Sequence, residues 1–96
     1  MLLVYLKLVT GEEIVAEDIL RSDHHYVVKN PRVITLIPTQ TGGMNVTLVP
    51  LMWSAKPDTA IQLNQSAIIT STHEGEDRFE RMYLQSTSKL DLTTKL

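Results

Sequence analysis

From Leu2 to Leu20 the chain alternates between two faces with a period of two. Val4, Leu6 and Leu8 interleave with Tyr5, Lys7 and Val9. Thr10-Gly11-Glu12 interrupts the run, and Ile14, Ala16 and Asp18 then interleave with Val15, Glu17 and Ile19. A helix would repeat its apolar positions every three or four residues, so this pattern predicts two half-buried antiparallel strands on a tight connection. Arg21-Ser22-Asp23 is a second turn, and a third strand starts in His24 to Lys29. Three strands on such short connections form a meander with bare edges. It must close on itself or on a partner to bury its apolar face.

The third strand is unusual. Tyr26-Val27-Val28-Lys29 leads into Asn30-Pro31, and the apolar run resumes at Val33 to Ile37. Pro31 has no N–H to give a ladder, so it belongs at an edge, a bend or a bulge; one long strand kinked at Asn30-Pro31 is expected. Pro38 closes it, and Thr39 to Gly43 is a hairpin loop in which Gly42-Gly43 can take positive φ. Asn45 to Met52 is the fourth strand. Lys56-Pro57-Asp58 signals a turn, and Ala60 to Leu63 with Ala67 to Ser71 make a last short strand or strand pair around Asn64-Gln65-Ser66. After Ser71 the period changes. Phe79, Met82, Tyr83, Ser86 and Leu90 fall at helical spacing, which predicts a helix from about Glu76 to about Ser88, with Ser71 and Glu74 as a candidate capping box. Leu90, Leu92 and Leu96 form an apolar tail. The expected fold class is mainly β: a small, strongly bent, five-stranded antiparallel barrel over residues 1–72. A C-terminal α-helix and tail over 73–96 would pack on the barrel or on a neighbouring subunit.

Composition narrows the function. The 96 residues make one domain, and nine Lys+Arg against eleven Asp+Glu leave a net charge of −2. That balance argues against a dedicated duplex-DNA binder, which needs a basic excess to displace counterions. The chain has no cysteine, hence no disulfide, thiolate zinc site or cysteine nucleophile, which suits a cytoplasmic protein. Met1 to Leu6 reads as a strand and not a secretion signal, and no apolar run reaches the length of a membrane span. There is no Gly-rich phosphate loop and no Gly-x-Ser-x-Gly, so neither an enzyme nor a cofactor is expected. A metal set of His24, His25 and His73 is disfavoured, because adjacent histidines on a strand point to opposite faces.

Leu6-Lys7-Leu8-Val9-Thr10-Gly11-Glu12-Glu13-Ile14-Val15-Ala16 resembles the first half of the Sm1 motif of Sm-like (LSm) proteins. Asp23-His24-His25-Tyr26-Val27 is similar to the Asp-x-His-Met-Asn segment that closes that motif. Ile61-Gln62-Leu63-Asn64-Gln65-Ser66-Ala67-Ile68-Ile69 lies where the Sm2 motif, Ile-Arg-Gly-x-x-Ile, would stand. A closer similarity is to the small Sm-like proteins of tailed phages, cyanophages included. It is carried by Thr10-Gly11-Glu12-Glu13-Ile14, by Tyr26 and Lys29-Asn30-Pro31, and by Val46, Leu48 and Val49 running into Pro50-Leu51-Met52. The likeness covers most of residues 2–71. It departs from the family where Val27 or Tyr26 replaces the Sm1 Asn, and where Gln62-Leu63 or Asn64-Gln65 replaces the Sm2 Arg-Gly.

The resemblance implies an Sm-like (SH3-like) barrel whose subunits pair edge strands head to tail into a homo-oligomeric ring of about five to seven copies. Met44 to Val49 and Ala67 to Thr72, both uncharged, are the candidate edges. It also implies a role in binding or chaperoning single-stranded RNA, in the host cytoplasm if the protein is phage-encoded, with Asp23, His24, His25, Tyr26, Asn64, Gln65 and Ser66 as the RNA-binding residues.

Each of these residues also has a plainer role. Asp23 to His25 would serve equally as a solvated β-turn, and Asn64 to Ser66 as a polar turn. Tyr26 would be a half-core strand residue with its hydroxyl at the rim. Arg21, Lys29 and Arg32 are either a modest phosphate-binding patch or scattered surface charges. Trp53 is expected to pack under the Lys56-Pro57-Asp58 turn, and Phe79, Met82 and Tyr83 to be packing residues. The functional alternative is therefore a non-catalytic structural or protein-interaction module built on the same barrel without RNA binding.

Overall fold

A computed structural model describes residues 1–87. In chain order it contains β1 (Leu3–Leu8), β2 (Glu13–Arg21), β3 (His25–Pro38), β4 (Met44–Pro50), β5 (Ala60–Asn64), a single 3-10 turn (Gln65–Ala67), β6 (Ile68–Thr72) and α1 (Asp77–Ser86). The protein is mainly β, antiparallel, with one C-terminal helix. Six strands replace the expected five, because the segment around Asn64-Gln65-Ser66 is a strand pair broken by the 3-10 turn. The Asn64 side chain accepts from the Ser66 N–H at 3.4 Å and competes there with continuation of the strand.

The strands follow the order β4-β3-β2-β1-β6, with β5 on the first half of β3. The sheet is bent, as a small barrel requires. Among the described residues, however, no ladder joins β5 to β6; the 3-10 turn alone carries the chain between them. Register slips between Val15 and Glu17 and between Asp18 and Leu20 in β2, and between Lys7 and Leu8 in β1, supply the bending. The period-two pattern then sorts side chains onto two faces. Inside the curve Val4, Leu6, Leu8, Ile14, Ala16, Tyr26 and Val28 form the main core, with Val33, Leu51, Leu63 and Ile68 packed against it. On the outer face Leu3 and Val15 meet Tyr83 of α1, flanked by Tyr5, Ile34 and Leu48.

The helix thus packs on its own sheet, and its apolar stripe is used as expected: Tyr83 is fully buried, while Phe79 and Met82 are half-buried. It starts where expected, next to Glu76, but without the expected capping box. Glu76 is the N-cap, without a side-chain cap bond, and Ser71 lies in β6 rather than in a capping box. The acidic residues Asp77 and Glu80 stand in the first turn, where the helix dipole favours them. The helix ends at Ser86; the expected end at Ser88 and the tail of Leu90, Leu92 and Leu96 lie outside the described residues.

The kink in β3 is where sheet and helix are tied together. Asn30 takes φ +50, a left-handed backbone that Asn tolerates better than most residues. Its side-chain amide donates to Asp58 Oδ1 at 2.8 Å and to Glu17 Oε2 at 3.2 Å, and its Oδ1 accepts from the Asp58 N–H at 2.9 Å. The Tyr83 hydroxyl donates to the carbonyls of Lys29 (3.2 Å) and Asn30 (2.9 Å). Burial, above all, and the negative charge of Glu17 raise the Tyr83 pKa, so this donor keeps its proton.

Candidate nucleic-acid interface

The expected binding residues come from two segments about forty residues apart in sequence, and the fold sets them side by side. Ladder pairing of β3 with β5 places His25 opposite Asn64 and Tyr26 opposite Leu63. The β2–β3 turn and the 3-10 turn are then stitched directly. The Gln65 N–H donates to the His24 carbonyl at 2.9 Å, and Gln65 Nε2 donates to the Ser22 carbonyl at 3.0 Å. Within the first turn, the Ser22 N–H donates to the His25 carbonyl at 2.8 Å, and the Ser22 hydroxyl accepts from the His25 N–H at 3.3 Å.

These contacts divide the candidates by role. Asp23, His24, His25, Asn64 and Ser66 are exposed together at one end of the molecule. They present a carboxylate, two imidazoles, an amide and a hydroxyl, groups able to hydrogen-bond base edges. Gln65 is half-buried and spends its amide on the Ser22 carbonyl, so it holds the two turns together. Tyr26 lies in the core, 2% exposed, and the Arg21 guanidinium sits 5.4 Å from its ring centroid. Its ring has no face left for a base.

Tyr26 instead leads to a contact that the sequence did not single out. Its hydroxyl donates to Asp18 Oδ2 at 2.8 Å, and the same oxygen lies 2.6 Å from His73 Nε2. Burial first, then the hydrogen bond and charge of Asp18, push the Tyr26 hydroxyl up to about 12; Arg21 acts in the opposite direction. The carboxylate of Asp18 thereby ties β2, β3 and the segment after β6 at one point. The signal was available: Asp18 stands on the inward face of β2, in line with Ile14 and Ala16, and a carboxylate on an apolar face needs partners. What the sequence could not supply was their identity, because His73 is 55 positions away.

The other expectations resolve as follows. Arg21 stacks on Tyr26, whereas Arg32 pairs in register with Val15 and Pro50 beyond the kink, so the two do not form one basic patch. Trp53 is 77% exposed and does not pack under its turn; Leu51 and Leu63, not Trp53, pack against the main core. Among the described residues no three His, Cys, Asp or Glu side chains gather where they could hold a metal ion, and no helix is long and apolar enough to cross a membrane.

β4 and β6, the strands expected to be edges, stand at the two ends of the sheet path. Beside β4 the hairpin exposes Leu36, Ile37 and Met44; beside β6, Val9 and Ile69 are exposed. No protein-family model matches the chain, and no curated protein matches it.

Proposed function

We propose that this protein is an Sm-like subunit that assembles head to tail into a ring and binds single-stranded RNA at the end formed by residues 22–25 and 64–66. The observation that carries this reading is the pairing of two features in one fold. Two uncharged terminal strands carry apolar side chains beside their free edges, and two polar turns from distant sequence are hydrogen-bonded into one surface. Edge strands normally carry charges, prolines or covers that prevent pairing; β4 and β6 carry no charge, the one proline, Pro50, stands at the last residue of β4, and an identical neighbour would satisfy both edges at once. Ring closure would then repeat the Asp23, His24, His25, Asn64 and Ser66 surface around an axis, multiplying individually weak base contacts.

The expected result is a discrete oligomer by sedimentation, with binding of short U-rich or A-rich RNA that weakens with salt. His25→Ala and Asn64→Ala should each lower affinity without changing the sedimentation coefficient. A monomer in dilute solution defeats the assembly; a ring that ignores RNA at low salt defeats the ligand. The missing Sm2 Arg-Gly and the net charge of −2 favour, as the second reading, an interaction module that forms the same ring without RNA.

A further inference from the structure

A cleft of about 190 Å³ lies at the β3 kink, between Pro50 at the end of β4 and the 51–59 loop. Arg32 and Lys56 line it together with Trp53, Met52, Pro50 and Pro57, and no carboxylate does. The carboxylates of Asp58 and Glu17 stand next to this wall, each hydrogen-bonded to Asn30, so the positive charge is confined to the lining itself. Neither cation enters a salt bridge among the described residues, and Arg32 Nε is buried with no hydrogen-bond partner there. A buried guanidinium nitrogen without an acceptor is uncommon and leaves that one N–H unspent. Beside these cations the indole of Trp53 stands 77% exposed, a costly placement for the largest apolar side chain unless something covers its face.

We infer that this cleft is a nucleotide subsite, in which Arg32 and Lys56 take a phosphate and Trp53 stacks the attached base. A flat aromatic face next to two cations matches a nucleoside phosphate in both charge and shape. An acidic peptide would satisfy the cations but would leave the indole uncovered. The inference extends the RNA-binding reading from the turn surface to the outside of the subunit. Pro31 lies six positions after His25 on β3, at most about 20 Å away given the kink at Asn30, so one single strand could engage both places.

The test uses the fact that Trp53 is the only tryptophan in the chain, so fluorescence excited at the red edge, beyond the absorption of the three tyrosines, reports on this cleft. Adenosine 5′-monophosphate should quench Trp53 saturably, and inorganic phosphate should compete. Lys56→Gln, on an exposed loop, should weaken the nucleotide about tenfold, the loss of one charge-assisted contact. Trp53→Ala, followed by calorimetry, should also lose affinity. His25→Ala and Asn64→Ala should leave the quenching unchanged while lowering affinity for RNA oligomers. Absence of saturable quenching, quenching that Lys56→Gln does not alter, or a tetraglutamate peptide binding as tightly as the nucleotide would each overturn the subsite. RNA oligomer binding without mononucleotide quenching would reject this cleft and leave the turn surface standing. Mononucleotide quenching without oligomer binding at the turns would do the reverse.

Discussion

The two halves of β3, on either side of Asn30, do different jobs. The first half, 25–29, is laddered to β2 on one side and β5 on the other, and it buries Tyr26 and Val28 in the main core. The second half, 32–38, is laddered to β4 throughout but meets β2 only at Arg32 and Val33. It then runs out into a hairpin where Leu36 is 57% exposed and Ile37 47%. Both halves are equally apolar in sequence. What separates them is how many neighbours the topology supplies. The first half builds the fold; the second carries exposed apolar surface, which the proposed ring would use.

The largest effect should come from breaking the junction between the halves. Tyr83→Ala removes a fully buried ring from the outer-face cluster and the hydroxyl that holds the Lys29 and Asn30 carbonyls. About 3–5 kcal/mol should be lost in urea unfolding. Tyr83→Phe keeps the ring and should cost only about 1 kcal/mol. A similar loss in both variants would mean that the hydrogen bonds, and not the packing, join helix to sheet.

Gly75→Ala comes next. A Cβ there would overlap the Tyr5 ring, so the chain must shift before α1 can dock, and about 1–3 kcal/mol is expected. The ring cannot yield easily, since Tyr5 is itself partly buried between β1 and the helix. Thermal melting with retained strand signal and reduced helix signal would place the damage at the docking. A melt identical to the parent's would show that this approach is not tight.

Asn30→Gly and Asn30→Ala separate the kink's two requirements. Glycine keeps the positive φ and loses the hydrogen bonds to Asp58 and Glu17, for about 1–3 kcal/mol. Alanine should add about 1–2 kcal/mol of left-handed backbone strain. Equal stability of the two variants would remove backbone strain from the account of the kink.

High pH, compared between the parent and a Tyr26 variant, probes the first half. Because Tyr26 titrates at about 12 in the fold against 10.0 in its free state, the folded protein holds this proton while the unfolded chain gives it up. Its contribution is complete below pH 10 and is lost as pH rises through about 12. Tyr26→Phe should flatten that alkaline decline, as followed by unfolding midpoints. An unchanged slope would assign the decline to Tyr5 and Tyr83, whose pKa values burial also raises.

The smallest effect on stability, and the most telling, is expected at the second half. Leu36→Lys should alter the subunit's unfolding free energy by no more than about 0.5 kcal/mol, while sedimentation shifts to a smaller species. Strong destabilisation of the isolated subunit would erase the contrast between the halves.

Local chemistry was enough to read β1, β2, the kink and the helix from the residues alone. Period-two alternation set β1, β2 and their inward faces, the Asn30-Pro31 pair marked the kink, and the spacing of Phe79, Met82 and Tyr83 set the helix. These signals are short-range, because a side chain's face follows from backbone geometry within a few residues. The tertiary structure alone decided which groups meet. It brought His25 opposite Asn64, turned Tyr26 inward onto Asp18, delivered His73 to the same carboxylate, and left Trp53 outside. Pairing of distant segments depends on how the whole curved sheet fills its interior once, and no local pattern encodes which of several competing apolar residues will be left without room.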